Sequence, residues 1–185
     1  IDGNDIWSYT DFYDKLWSIA ADSSGNVYCG SGSGNLKKID SGGNKIWEYN
    51  TNASNIWGVD VDTTGNVYIA TQSPDEVRKI DSSGNLVWTF TGHTSTVRDV
   101  AVDSNTGNVY SAAQDDTVKK IDSSGNQVWS FSGHTNNVRS VAVDSNGNVY
   151  SGSNDNTVRK FDSSGNEVWT FSGHTDQVRS IAVKG

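Results

Sequence analysis

A block of about 41 residues is written four times along this chain of 185 residues. A Trp-x-aromatic element marks the period, at steps of 40, 41, 41 and 40 residues. Its copies are Trp7/Tyr9, Trp47/Tyr49, Trp88/Phe90, Trp129/Phe131 and Trp169/Phe171. A unit of this length cannot bury its apolar faces alone, so each copy must pack against its neighbours. The chain is therefore predicted to form an array of similar units.

Each repeat contains four short runs in which apolar and polar residues alternate, separated by turn-forming residues. In the fourth copy these runs span residues 138–144, 148–154, 157–162 and 166–171. Alternation with a period of two is typical of β-strands, and no segment shows the periodicity of an amphipathic helix. We name the four predicted strands of a repeat a, b, c and d, in chain order.

The a to b and c to d connections share the form Asp-x-x-Gly-Asn, as in residues 144–148 and 162–166. An Asp side chain accepts hydrogen bonds from the backbone two residues on, and Gly readily adopts a positive φ. This pattern predicts tight hairpin turns. Acidic loops also occur at calcium sites, but those need several carboxylates at alternating positions within one loop. We therefore predict structural turns, with no metal and no cofactor.

Four-stranded antiparallel units with a period of about 40 to 45 residues are typical of β-propeller blades, which pack radially around a central channel. The predicted fold class is all-β, with four complete blades plus a half blade in a single propeller domain or segment of one, 1–185. The predicted blades span approximately 16–49, 56–90, 97–131 and 138–171. A strand d at 5–9 and a strand a at 178–183 would belong to incomplete blades.

The Trp-x-aromatic pairs have two interpretations. Trp169 and Phe171 are two residues apart on one strand, so they share a face. Each large ring can cover about 150–250 Å² of the next blade. We therefore predict that these pairs pack between blades; a platform for stacking bases or sugars is the alternative.

The segment SGHTNNVRSVAVDSNGNVYSGSNDNTVRKFD, which begins at Ser132, resembles the WD-repeat family. It has Gly-His before strand a, then V-x-S-V, then S-G-S-x-D before strand c. In that family the His, a Ser or Thr of strand b and the Asp of the b to c turn form a buried hydrogen-bond network. The resemblance implies two such networks. They are His93, Ser111 and Asp115 in the third blade, and His134, Ser151 and Asp155 in the fourth.

The other repeats depart from this pattern. The family's Trp-Asp dipeptide at the end of strand c is missing, because Phe161 and Asp162 stand there in the fourth copy. Phe12 and Asn52 replace the histidine in the first two copies, and Ser33 replaces the turn Asp in the first. We expect packing to hold those blades.

The three histidines occupy one repeat position. His93, His134 and His174 are about 40 residues apart, so propeller geometry places them on different blades. They cannot easily meet at one metal ion or one nucleophile. We predict a structural role for all three and no catalytic residue, with His174 lacking the turn Asp of its blade.

Strands b to d have a second resemblance. The segment NVYSGSNDNTVRKFDSSGNEVWTF, which begins at Asn148, looks like the repeat of pyrroloquinoline-quinone enzymes. That class needs a calcium-binding acid cluster, a catalytic Asp in a cofactor pocket and often a neighbouring cysteine pair. Cys29 is the single cysteine of the sequence, and no acidic cluster stands outside the repeat. A quinone-dependent dehydrogenase is therefore a disfavoured alternative.

One repeat position changes residue type while its neighbours do not. It is the x of V-x-S-V, and its residues are Trp17, Trp57, Arg98, Arg139 and Arg179. The WD-repeat resemblance implies that this position lies at the start of the innermost strand, at the channel mouth, where partners often bind. Trp and Arg dominate binding hot spots, and arginines offer paired donors to carboxylate, sulfate or phosphate. The alternative is that each Arg pairs with an Asp of an adjacent blade, such as Asp99 or Asp176.

The charge pattern excludes several partners. The net charge is −8 and the isoelectric point is about 4.6, and no Lys/Arg run exceeds two residues. We therefore expect neither nucleic acid nor an anionic membrane surface as a partner. No apolar run approaches the length of about 18 residues that spans a bilayer, so no membrane insertion is expected. The abundance of Asn, Ser, Thr and Gly is more typical of an extracellular or virion surface.

These observations favour a non-enzymatic scaffold that binds a protein or an acidic glycan at the channel mouth. Such a module fits a surface adhesin, a secreted recognition protein or a virion protein. The alternative is a purely structural unit of a fibre or capsid. Because strand a is innermost and strand d outermost, the sequence as given is expected to need further chain or another subunit to complete the propeller.

Overall fold

The computed structural model describes residues 7–11 and 14–183, and its regular elements are β-strands. The first sheet contains β1 (Leu16–Ala21), β2 (Val27–Ser31), β3 (Asn35–Ile39) and β4 (Lys45–Asn50). The second contains β5 (Asn55–Val61), β6 (Val67–Gln72), β7 (Val77–Ile80) and β8 (Leu86–Phe90). The third contains β9 (Val97–Asp103), β10 (Asn108–Ala113), β11 (Val118–Ile121) and β12 (Gln127–Phe131). The fourth contains β13 (Val138–Val143), β14 (Val149–Ser153), β15 (Val158–Phe161) and β16 (Glu167–Phe171).

Each sheet is antiparallel, and its strands lie side by side in chain order. The first strands of successive sheets, β1, β5, β9 and β13, contact one another in that order. These strands are the predicted a strands, so they form the inner side of the array. The predicted fold class is confirmed as an all-β architecture of four-stranded sheets arranged like propeller blades.

The hairpin turns have the chemistry that their sequence predicts. In the turn after β13, Oδ1 of Asp144 accepts the amides of Asn146 at 3.0 Å and Asn148 at 2.8 Å. Gly147 has a φ of 77°, which an L side chain rarely adopts. The carboxylates at these turns are therefore occupied by backbone donors, and they fix the register of each hairpin.

The apolar core is divided into layers between successive sheets. One layer combines Tyr28 and Leu36 of the first sheet with Ile56, Val59 and Val67 of the second, all buried. Equivalent clusters join the second sheet to the third and the third to the fourth. Stability therefore comes from contacts between neighbours, as expected for a repeat protein.

The tryptophans of the fourth strands connect neighbouring sheets. The indole of Trp47 donates to the carbonyl of Ser82 at 3.0 Å, and Trp129 donates to the carbonyl of Ser163 at 3.4 Å. The ring of Trp129 lies so close to Gly165 that a Cβ there would come within 2.9 Å of it. These contacts cross from one sheet to the next, as the inter-blade interpretation predicts.

The two predicted terminal strands lie outside the four sheets, and their pairing with further strands stays a prediction. Residues 178–183 form no β-ladder within the described ranges. Val178 instead donates its amide to the carbonyl of Ser153 at 3.0 Å, on the fourth sheet. Residues 7–9 likewise form no strand, although the Trp7 indole donates to the carbonyl of Ser41 at 3.0 Å. Residues 5 and 6 of the predicted strand lie outside the described residues.

The outer face of the fourth sheet is open. Trp169 is 41% exposed and Phe171 is 51% exposed.

Along the described chain, no helix has the length and hydropathy required to cross a membrane.

Candidate functional site at the channel mouth

The five predicted ring residues lie at one end of the inner strands, beside the b to c turns. We call this end the channel mouth. Trp17 is on β1, Trp57 on β5, Arg98 on β9 and Arg139 on β13, while Arg179 follows the fourth sheet. The antiparallel topology places the Asp-x-x-Gly-Asn turns at the opposite end of the sheets.

The first three ring residues form a stack. The ring centroids of Trp17 and Trp57 are 4.5 Å apart with an interplanar angle of 36°. The guanidinium carbon of Arg98 lies 4.1 Å from the centroid of the Trp57 ring. Trp57 is thus held between an aromatic neighbour and a cation–π neighbour, an arrangement that favours a fixed side-chain position.

An amide side chain at the end of strand b, or directly after it, orients the ring residue of the same sheet. The Trp57 indole donates to Oε1 of Gln72 at 3.0 Å, and Nε of Arg139 donates to Oδ1 of Asn154 at 2.9 Å. When the Gln114 amide oxygen faces Arg98, Nε of Arg98 donates to it at 3.1 Å. These amides were not predicted as site residues, although an amide recurs at this repeat position. The amides of Gln114 and Asn154 hold the guanidinium groups without neutralising their positive charge.

The arginines and Trp57 line an open cavity of about 370 Å³, together with Gln177. Within residues 7–11 and 14–183, none of Arg98, Arg139 and Arg179 forms an ion pair with a carboxylate. Asp99 instead accepts the backbone amide of Val141 at 3.1 Å. Oδ1 of Asp176 accepts the backbone amide of Gln177 at 2.7 Å. The predicted alternative, in which these aspartates pair with the ring arginines, is not observed.

The mouth arginines also affect one another. Burial lowers the pKa of Arg98, and the nearby positive charge of Arg139 lowers it further. The like charges are thus held together at an energetic cost. An anion placed between them would remove that cost.

Below the mouth, carboxylates link the inner strands. Oδ2 of Asp99 accepts the amide of Val141 at 3.1 Å and the hydroxyl of Ser140 at 2.9 Å. Oδ2 of Asp60 accepts the amide of Val102 at 2.8 Å. Burial raises the pKa of Asp99 to about 6, although these hydrogen bonds oppose the shift. Burial raises the pKa of Asp60 as well.

The histidine networks lie within the third and fourth sheets. Nδ1 of His134 donates to Oδ2 of Asp155 at 2.8 Å, and the Ser151 hydroxyl donates to Nε2 at 2.7 Å. Burial alone would raise the pKa of Asp155, but hydrogen bonds from Thr157, His134 and backbone amides hold it far below its usual value. Burial lowers the pKa of His134, an effect that Asp155 partly offsets. A buried, mutually satisfied network of this kind stabilises its own blade.

The third sheet contains the same arrangement. Nδ1 of His93 is 2.9 Å from Oδ2 of Asp115, and Nε2 is 2.8 Å from the Ser111 hydroxyl. His174 differs, because it is exposed and makes no side-chain hydrogen bond to the described residues. Thr51, in the loop between the first and second sheets, donates its hydroxyl to the Gly34 carbonyl at 2.8 Å in the b to c turn of the first sheet. Phe12 lies outside the described residues.

A family model described as outer membrane protein assembly factor BamB matches residues 73–184, more than half of the chain. This chain belongs to that family. No curated protein matches the sequence.

The match to the BamB family covers one part of the mouth. Arg98, Arg139 and Arg179 lie inside the matched range, as do both histidine networks. Trp17 and Trp57 lie before it. The cationic side of the mouth therefore falls within the family's repeat, and the aromatic side belongs to the divergent first two repeats.

The carboxylates and histidines in the described part of the chain do not form a metal-binding cluster. Among the residues that the structure describes, no three His, Cys, Asp or Glu side chains converge on one point. Burial raises the pKa of the Cys29 thiol to about 11, so this cysteine is a weak nucleophile at neutral pH.

Proposed function

We propose that this chain is a non-enzymatic scaffold of the BamB-type β-propeller class that binds a protein partner at its channel mouth. The main support is the unpaired state of three arginines at a mouth that also presents stacked tryptophans. Both residue types are enriched at the centres of protein interfaces.

The contrast with the other arginines supports this assignment. Arg78 pairs with Glu76 at 2.7 Å and Arg159 pairs with Glu167 at 2.6 Å. The chain has 22 Asp and Glu residues and a net charge of −8, so carboxylates are abundant. Arginines that lack a carboxylate partner among the described residues of such a chain are available to bind an external acidic group.

We extend the proposal to the finer family assignment. The His93 and His134 networks support a WD-type blade for the third and fourth sheets. We also propose, from composition, that the protein works at an extracellular or virion surface. The exposed Trp169 and Phe171 support completion of the array by further strands, from additional chain or from another subunit.

The test places a photoactivatable benzoylphenylalanine at one of two positions in cells of the source organism. Gln177 lines the mouth cavity, and Ser145 lies in the turn at the opposite end. We expect a defined protein adduct from position 177 that is absent from position 145. The adduct should disappear in the Arg139→Ala, Arg179→Ala double variant. Adducts of equal yield at both positions, or adducts that persist in the double variant, would show that the mouth is not the binding site.

A further inference from the structure

The mouth has an electrostatic arrangement that defines the chemistry of its occupant. Arg98 and Arg139 repel each other, and each is fixed through its Nε to a turn amide. Neither has a carboxylate partner within the described ranges. The site is therefore preorganised for a negative charge, with little rearrangement needed on binding.

The aromatic side of the mouth limits which anion fits. Trp57 is stacked by Trp17 and by the Arg98 guanidinium, which lie on neighbouring inner strands to either side of β5. A sugar ring therefore has little free Trp57 face on which to stack. The indole edges remain beside the cavity, because Trp57 is only partly buried. Apolar side chains can pack against such edges.

The shape of the guanidinium groups fits a carboxylate. A guanidinium binds a planar carboxylate through two parallel N–H donors, and Arg139 has used only its Nε on Asn154. A cavity of about 370 Å³ accommodates a short part of a ligand rather than a large cofactor.

We propose that the mouth binds an acidic peptide segment of a partner protein, with a carboxylate between Arg98 and Arg139 and an adjacent apolar or aromatic side chain against Trp57. This inference rests on the proposed function and specifies the ligand of that same site. Arg179, which is exposed at the edge of the cavity, supplies a second cationic contact.

The experiment measures fluorescence anisotropy with three labelled heptapeptides. In the first, glutamate and phenylalanine alternate; in the second, glutamine replaces glutamate; in the third, glycine replaces phenylalanine. A labelled sulfated heparin hexasaccharide tests the glycan alternative. The proteins are the chain as given and its Arg139→Gln, Arg139→Lys and Arg159→Gln variants. Arg159 is the matched control, because it is an arginine of the same sheet paired with Glu167. Circular dichroism checks that each variant is folded.

We expect the glutamate–phenylalanine peptide to bind at least about tenfold more tightly than the glutamine peptide. Arg139→Gln should weaken its binding about tenfold, Arg139→Lys less, and Arg159→Gln by less than about twofold. The glycine peptide should bind about threefold more weakly than the phenylalanine peptide.

Equal binding of the charged and uncharged peptides would overturn the proposal, as would equal losses in Arg139→Gln and Arg159→Gln. Preference for the hexasaccharide, with its binding lost in Arg139→Gln, would assign the mouth to a glycan instead. Absence of peptide binding together with a mouth-specific protein adduct at position 177 would overturn only this inference and leave the proposed function standing.

Discussion

The carboxylate of Asp99 accepts the backbone amide of Val141 at 3.1 Å, and this hydrogen bond joins the inner strands of the third and fourth sheets. Serines make the same connection elsewhere, since Val59 donates its amide to Ser18 and Ile181 donates its amide to Ser140. The inner strands are therefore linked by one repeated contact, for which either a hydroxyl or a carboxylate is the acceptor.

Asp99 should make stability depend on pH in the acidic range. Its pKa in the folded chain is about 6, above the usual 3.8, so the folded state binds a proton more readily than the unfolded state. The stability that this proton contributes is fully present below pH 4 and is lost as pH rises through about 6. Asp99→Ser keeps a hydroxyl acceptor, as at Ser140, and removes the titration. We expect the unfolding free energy of Asp99→Ser, relative to the parent chain, to rise by about 1–3 kcal/mol between pH 4 and pH 7.

Urea unfolding of both proteins at several pH values measures this difference. Processes common to both, such as loss of the histidine networks in acid, cancel in the comparison. Parallel stability profiles for the two proteins would show that folding does not raise the pKa of Asp99.

The contribution of the His134 network to stability should depend on pH in the opposite direction. The pKa of His134 is lowered by burial, so its contribution to stability is present above pH 6.5 and declines as pH falls below it. His134→Ala leaves Asp155 and Ser151 buried without their partner and should cost about 2 kcal/mol at pH 7.5. His174→Ala is the matched control at the same repeat position and should change stability by less than about 0.5 kcal/mol, because His174 is exposed.

Thermal and urea unfolding measure both variants. Equally small costs for the two histidines would mean that the fourth sheet does not depend on its network. A loss in His174→Ala alone would indicate that this residue is buried in a larger assembly.

Trp129 of the third sheet should contribute more to stability than Trp169 of the fourth sheet, because Trp129 is covered by a neighbouring sheet. Trp129 packs 6.4 Å, centroid to centroid, from Phe161 of the next sheet, whereas the equivalent Trp169 is 41% exposed. Trp129→Ala should cost about 3 kcal/mol through a cavity between sheets, and Trp169→Ala about 1 kcal/mol. Denaturant unfolding measures both values. Similar losses would indicate that another surface covers Trp169 in solution.

Contacts within one repeat could be predicted from the sequence. The turn aspartates and the strand alternation involve residues at fixed spacing inside one repeat, so their positions follow from the repeat register. The pairing of His134 with Asp155 was implied by the resemblance to WD repeats. The contact of Trp129 with the next sheet could also be anticipated, because large apolar rings on one strand face must be buried somewhere.

Contacts between repeats were harder to predict. The acceptor on β5 is Asp60, two residues beyond the usual position, because Gly58 has no side chain to accept the amide. The role of Gln72, Gln114 and Asn154 depends on side-chain directions that alternation does not specify. The terminal strands stay predictions, because a strand requires a hydrogen-bonded neighbour and the described residues supply none for residues 178–183.

The mouth arginines should contribute little to folding, and this separates a binding role from a structural one. Because Arg139 raises the electrostatic free energy of Arg98, Arg139→Gln should leave the unfolding free energy unchanged or raise it by about 0.5 kcal/mol at low ionic strength. About 1 M salt screens the two charges, so the gain should vanish there. Arg159→Gln removes an ion pair with Glu167 and should instead lower stability at low salt. Urea unfolding at the two salt concentrations measures both variants. An Arg139→Gln protein that unfolds as readily as Trp129→Ala would show that the arginine holds the blades together, and the acidic peptide would then have to be sought at another surface.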